Sequence, residues 1–376
     1  MCIRDRGDTL LDHARAAFRH LMEQVQLGDH GLVRIGDGDW SDGVVYRNPY
    51  PQAILNTIKY GESVPNSQMA LFVLPRIAAQ LEPIDPTLSL EMQALAEQLE
   101  APVRDTFGGL WFGRAWFRTS ANRPFLEAND GGDTSSGDPN SYLDLEAQPW
   151  GLLSDLLTLE ERERLLDEIE RRLDDDSPIG PRLTEDGQVW PAISQLMTWA
   201  YARYRPDAAW RSLTEHLYST HTDLWPETWM GTLSGPDGWI SEGQERAGGT
   251  WYSAFTPMTD FPVANMNPDA MWLLGLVRTC GLEPTGDGLS IQPRRPGDTY
   301  TLDLPLLRLE VDPDGVTGVY RAHNTGEIRL RVAVPDGSSP MGSIDGLPIE
   351  ATVIDGQVTL PLSFTAGQQI AFTVSW

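Results

Sequence analysis

Cysteine is almost missing from this chain of 376 residues: only Cys2 and Cys280 occur. Two thiols so far apart imply neither a disulfide framework nor a cysteine metal site. Basic residues are scarce as well. There are 28 Lys and Arg against 54 Asp and Glu, a formal net charge of −26. A chain this acidic repels nucleic acid and anionic membranes. It also handicaps an anionic substrate such as phosphate unless cations are concentrated locally. No apolar run approaches the ~20 residues that cross a bilayer, and the start carries no secretory leader with a hydrophobic centre. These absences point to a cytoplasmic protein without nucleic-acid or membrane partners. What is abundant is apolar: 40% hydrophobic residues, including 13 tryptophans, predict a folded globule with much buried aromatic area.

The most informative stretch is Gly36-Asp37-Gly38-Asp39-Trp40-Ser41-Asp42-Gly43, which follows the apolar residues Leu32, Val33 and Ile35. Its glycines permit tight turns and close approach of a ligand to the backbone. Trp40 offers an apolar platform for a sugar ring, and Asp39 and Asp42 can bind hydroxyls or deliver a proton. The same residues also suit an acidic surface turn.

Along the chain, Leu10, Ala14, Ala17, Leu21 and Val25 mark an amphipathic helix over 9–27 that Gly28 stops. A loop with prolines at 49 and 51 follows, to about Gly61. Helices are predicted over 62–80 with a kink at Pro75, over 87–99, from Gln148, from a Thr158/Glu161 capping box to about Leu173, around Ile193 and Met197, from Pro206, and over 268–280. Residues 129–140 read as a mobile loop. The long irregular stretch 222–261, with four tryptophans, has the length of a functional loop. After about 298 short alternating runs, punctuated by Asp312-Pro313-Asp314-Gly315 and Asp355-Gly356, predict hairpins of a β-sandwich.

Several segments, in order, resemble glycoside hydrolase family 94, the cellobiose and chitobiose phosphorylases and their relatives. They are His30-Gly31-Leu32, the Gly36–Gly43 stretch, Gly61-Glu62-Ser63-Val64, Asp144 to Trp150, Gly187-Gln188-Val189-Trp190 and Asp287 to Pro293. The resemblance implies a mainly α fold: a partial (α/α)6 toroid of the six-hairpin glycosidase type over residues 8–285, then a small C-terminal antiparallel β-sandwich over 286–376. It also implies that the chain is an N-terminally truncated piece, with residues 1–7 as a non-native leader. Helices are then expected throughout the first part.

By the same resemblance Asp42 takes the place of the family's general acid, with Ser41 standing where the family has Asn. The family's phosphate ligands have no counterpart among the aligned residues: Ala192 falls on the family histidine, and no Thr-Gly pair follows Thr250-Trp251-Tyr252-Ser253. That favours an inverting hydrolase of β-linked gluco-oligosaccharides, which needs a base carboxylate ~6.5–9.5 Å from the acid. Glu227, between Trp225 and Trp229, is the expected base, ahead of Glu242 and Asp260. Asp39, Trp40, Trp229, Glu242 and Arg246 are expected to bind substrate, with His221 and Gln244 as further hydroxyl ligands. No cofactor is expected. A phosphorylase using inorganic phosphate, and an inactive sugar-binding fragment, are the alternatives.

Overall fold

A computed structural model describes residues 9–36, 38–39, 51–118, 124–127, 143–185, 187–229, 238–249, 266–293 and 299–376. The leader at 1–7 and the glycine-rich segment 129–140 lie outside them. Helix α1 (Leu10–His20) starts at a reciprocal Thr9/Asp12 capping box and runs on as a π-helical turn, Leu21–Val25. Helix α2 (Pro51–Tyr60) corrects the expected loop. Pro51 opens it, where a missing N–H has no partner to lose and the fixed φ already suits a helix. Then come α3 (Val64–Leu81), capped by Ser63, and α4 (Pro86–Asp105), capped by Asp85. Helix α3 matches the expected span to within two residues and runs through Pro75, whereas α4 continues past Leu99, where its expected span ended.

A 3-10 turn at Leu145–Ala147 leads into the short α5 (Pro149–Leu153). Helix α6 (Leu159–Ile169) begins at the Thr158/Glu161 capping box and ends in a π-helical turn, Glu170–Asp174. It is followed by α7 (Pro191–Tyr204), α8 (Pro206–Glu215), α9 (Tyr218–Leu224), α10 (Pro226–Trp229) and α11 (Met266–Thr279). Helix α3 packs on α4 and α5, α5 on α7, and α7 on α8 and α11. So α3, α5, α7 and α11 form a contiguous row, with other helices between them along the chain. Helix α7 is its centre, buried at every residue from Pro191 to Ala202. The first turns of α3 and α5 touch: a Cβ on Gly151 would lie 2.8 Å from the Gln68 amide nitrogen. The first turns of α7 and α11 share a cavity through Pro191 and Pro268.

The first part is not wholly helical. A four-stranded antiparallel sheet is woven between the helices in the order β1 (Val33–Arg34), β2 (Glu62–Ser63), β3 (Ala115–Arg118), β4 (Pro124–Glu127). A further pair joins β5 (Gln188–Val189) to β6 (Trp239–Ile240). Strands of two to four residues carry too few positions for alternation to show.

The C-terminal part is two sheets around one apolar core. The strands are β7 (Leu282–Thr285), β8 (Gly288–Ile291), β9 (Tyr300–Asp303), β10 (Leu307–Asp312), β11 (Gly315–Arg321), β12 (Gly326–Ala333), β13 (Met341–Ile344), β14 (Leu347–Ile349), β15 (Val353–Ile354), β16 (Gln357–Phe364) and β17 (Gln369–Ser375). One sheet runs β14-β13-β17-β11-β10-β9, the other β15-β16-β12-β8-β7. Strands β10 and β16 bury alternate residues, as the sequence predicts. The pairing of β8 with β12 is parallel, unlike its neighbours. The expected boundary at 286 falls in the turn between β7 and β8. Glu283 ties that hairpin to the helical row, accepting hydrogen bonds from Arg203 at 3.2 Å and Trp199 at 3.4 Å.

One polar cluster lies inside the helical part. Asp174 accepts hydrogen bonds from Arg211 (2.8 Å) and Tyr201 (3.3 Å). Burial raises its pKa to about 6 against the pull of Arg211. Burial, then the Asp174 charge, raise Glu215 to about 7. Both acids therefore hold protons in the folded chain that the unfolded chain releases nearer pH 4. Their contribution to stability is present at acid pH and declines as pH rises towards 7. Replacing Glu215 with Gln removes a charge that is unfavourable only when ionised. We expect Glu215→Gln to stabilise the fold by about 1 kcal/mol at pH 8 and to change little at pH 5, measured by urea unfolding at both values.

Candidate functional site

Three distant segments meet at the first turns of α3 and α5. Arg114, just before β3, is completely buried. Its Nη2 donates to Asp39 Oδ1 at 2.8 Å and to Glu146 Oε1 at 2.9 Å. Both carboxylates are as buried as the guanidinium. Such pairs are charge-assisted hydrogen bonds, and they hold geometry tightly because removing one partner strands a charge out of water. Glu146 is fixed in turn: its backbone N–H bonds Asp144 Oδ1 at 2.9 Å. Gln148 donates to the carbonyls of Asp144 (2.8 Å) and Phe112 (3.1 Å), and accepts from the Phe112 N–H. The 111–118 and 144–148 segments are thereby locked together.

A second set stands on the small sheet. The register aligns Arg34, Glu62 and Trp116 across β1, β2 and β3, so their side chains share a face. Glu62 is fully buried. It accepts from the backbone N–H groups of His30 and Leu32 at 3.1 Å, and its Oε1 lies 2.7 Å from His30 Nδ1. That contact places a proton on Nδ1, which donates to the carboxylate. The imidazole stacks on Trp116 with centroids 4.0 Å apart and planes 5° from parallel. Gly28 is required here, because a Cβ would lie 2.2 Å from Glu62 Cδ. Gly31, at φ +82°, turns the chain back so that the two N–H groups face the carboxylate. The result is a partly exposed aromatic platform with an oriented histidine, on the strand that Arg114 precedes.

Of the residues singled out from the sequence, Asp39 lies in this cluster. Trp40, Asp42 and Asp260 fall outside the described residues. Glu227 is exposed on α10, and Glu242 and Arg246 are exposed on the turn after β6. Trp229 is buried and donates its Nε1–H to the Gly248 carbonyl at 2.8 Å. His221 is enclosed by Trp229 and Trp239, at 4.6 and 4.5 Å, and burial pushes its pKa down to about 3. Gln244 packs against Gly187. Ala192 is buried in the first turn of α7. Arg114 and Glu146 were not anticipated. The signal for Arg114 is a charge inside the apolar stretch Trp111 to Phe117, since such a charge is seldom buried unless paired; Glu146, two residues after Asp144, carries no such signal.

Removing the guanidinium would leave two carboxylates buried against each other. Arg114→Met is therefore expected to cost about 3–5 kcal/mol of folding stability, read by urea denaturation. Arg114→Lys, which keeps the charge and loses the fork, should cost less. A loss below about 1 kcal/mol in Arg114→Met would show the cluster to be hydrated rather than dry.

No protein-family model and no curated protein matches the chain. Among solved structures it overlaps with glycoside hydrolases. One is a GH127 β-L-arabinofuranosidase from Geobacillus stearothermophilus T6, at 10% identity over 84% of this chain and 42% of that one, with TM-score 0.27. Another is an α-L-rhamnosidase from Dictyoglumus thermophilum, at 12% identity over 82% and 31%, with TM-score 0.41. A second GH127 β-arabinofuranosidase gives 12% identity over 82% and 50%, with TM-score 0.30. The chain spans half or less of the length of each of these structures, and TM-scores this low mean that much of the backbone does not superpose.

Proposed function

We propose that this chain carries part of the active site of an inverting glycoside hydrolase related to family 94, acting on β-linked gluco-oligosaccharides, with Asp42 as the general acid. One observation supports the reading above the others. The stretch that ends in Asp42 is anchored at Asp39, through Arg114, to Glu146. Two of the segments that resemble the family in order along the sequence thus share one buried guanidinium.

In this reading Asp39 is a positioning residue. Its carboxylate is engaged by Arg114, so it fixes the backbone three residues ahead of the acid rather than gripping a hydroxyl. Trp40 walls the sugar. Asp42 protonates the glycosidic oxygen as the bond to the anomeric carbon breaks. A water on the opposite face of the ring supplies the oxygen that bonds to that carbon, and a carboxylate takes the water's proton. Glu227 is the proposed base: it is an exposed acid beside the aromatic cluster of Trp225, Trp229 and Trp239. Water as the nucleophile fits Ala192, an apolar group where a phosphate-binding histidine would stand.

Asp42→Asn keeps the shape and removes the transferable proton. General acid catalysis is worth ~10²–10⁴-fold, so hydrolysis of an unactivated β-glucoside should fall by about that factor. A dinitrophenyl glucoside, whose leaving group needs no proton, should be nearly unaffected. Equal rates for variant and parent on both substrates would remove Asp42 from the chemistry. Turnover that depends on added phosphate and releases a sugar 1-phosphate would replace hydrolysis by phosphorolysis.

A further inference from the structure

Towards the C-terminal ends of α3, α7 and α11, three arginines surround a block of aromatic rings. Phe72, Trp150 and Trp199 pack together with ring centroids 5.3, 5.4 and 6.0 Å apart. The guanidinium carbon of Arg76 lies 3.5 Å from the Phe72 centroid, and that of Arg278 lies 4.5 Å from Trp199. Arg203 reaches both rings, at 5.7 Å from Phe72 and 5.8 Å from Trp199. Arg76 is about 14 Å along α3 from Ser67, and Ser67 accepts from the Val33 N–H of β1. The arginines thus stand apart from the Asp39–Arg114–Glu146 cluster.

Their charges are not matched. Among the described residues, Arg203 alone of the three has carboxylates within 4 Å: Glu283 at 3.2 Å, and the mostly exposed Asp155 at 3.9 Å. Arg76 and Arg278 each donate through Nη1 to a backbone carbonyl, of Phe72 and Leu282, both at 2.6 Å. Burial, then Arg203, hold the pKa of Arg76 below the usual arginine value. Burial does the same for Arg278, and Arg203 and Arg76 add to it against the pull of Glu283. Three guanidiniums therefore repel one another in a chain with 54 acids to 28 bases. Helix ends attract cations only across the last turn, and Arg76 lies more than a turn before the end of α3.

A guanidinium over an aromatic ring is held by its face, while its N–H groups remain at its edge. Such forks match pairs of oxygens on an anion. The net charge of the chain limits the size of that anion. A polyanion would meet the whole acidic surface, whereas a small ion within a Debye length feels the local excess of positive charge.

We propose that Arg76, Arg203 and Arg278 bind a small, doubly charged oxyanion beside the β7–β8 hairpin. The site does not rest on the hydrolase reading, and the ion is no reactant in it. Arg76 and Arg278 supply the N–H groups, and Arg203, already engaged by Glu283, adds charge.

Calorimetric titration of the whole chain at constant ionic strength tests this. Sulfate and malonate are the probes, with chloride as the singly charged control. One probe is inorganic and the other a dicarboxylate, so the tighter binder identifies the source of the oxygens. At least one of them should bind saturably, and chloride should not. Arg76→Gln and Arg278→Gln should each weaken binding by about tenfold or more, the effect of losing a charge-assisted hydrogen bond. Arg76→Lys, which keeps the charge, should lose less. Arg171→Gln makes the same change of charge at an exposed residue of the Glu170–Asp174 turn and should leave binding as it was. Arg76 is exposed, so its variants decide the matter if Arg278→Gln fails to fold. No saturable binding of either dianion, undiminished binding in Arg76→Gln, or an equal loss in Arg171→Gln would each overturn the proposal.

Discussion

A guanidinium buried between two carboxylates is tolerable only when every group in the set is held in place. Taking ions out of water costs several kcal/mol each, and their attraction recovers that only at good geometry. The Asp39–Arg114–Glu146 cluster therefore demands rigidity of everything around it. Arg114 is held because β3 pairs with β2, Glu146 because a 3-10 turn and Gln148 lock its backbone, and Asp39 because Ile35 bonds the carbonyl of Gly61. The small sheet is the frame for these charges. Its strands are too short to be stable alone, and they persist because helices bury their ends.

A division of labour follows from the same constraint. Helix α7 is buried along its length, and its buried polar residues, Ser194, Gln195 and Thr198, lie in its first half and centre. Polar groups in the first turns of the inner helices lie where backbone N–H groups lack intrahelical partners.

What could be read from the sequence was local. The Thr158/Glu161 capping box, the alternation in β10 and β16, and the hairpin at 312–315 are complete within a few residues, and the structure contains them. Strands β13 and β14 escaped notice because Met341 and Leu347 are exposed, so their pattern does not alternate. Helix α2 escaped because its opening proline looks like a breaker. Arg114 and Glu146 are a different case. Arg114 is a lone charge in an apolar stretch and Glu146 one of two acids in its segment, and what makes them a pair is a separation of 32 residues bridged by tertiary structure. The Asp-rich stretch was visible as chemistry, yet nothing local indicates that Asp39 faces a buried arginine.

The parallel pairing of β8 with β12 has a consequence for how this chain can be cut. Strand β8 lies between β7 and β12 in its sheet, and β7 begins two residues after α11 ends. The C-terminal sandwich is therefore not a module that can be lifted out at the sequence boundary near 286. A cut there would strip β7 from β8 and expose a new sheet edge, an invitation to strand addition between molecules. Any transfer of the sandwich to another protein, by recombination or by design, has to carry the hairpin and with it Glu283, whose arginine and tryptophan partners stay behind on α7. The two parts are thus joined through a shared strand rather than by a linker, and the seam that evolution or an engineer can use lies inside the helical half.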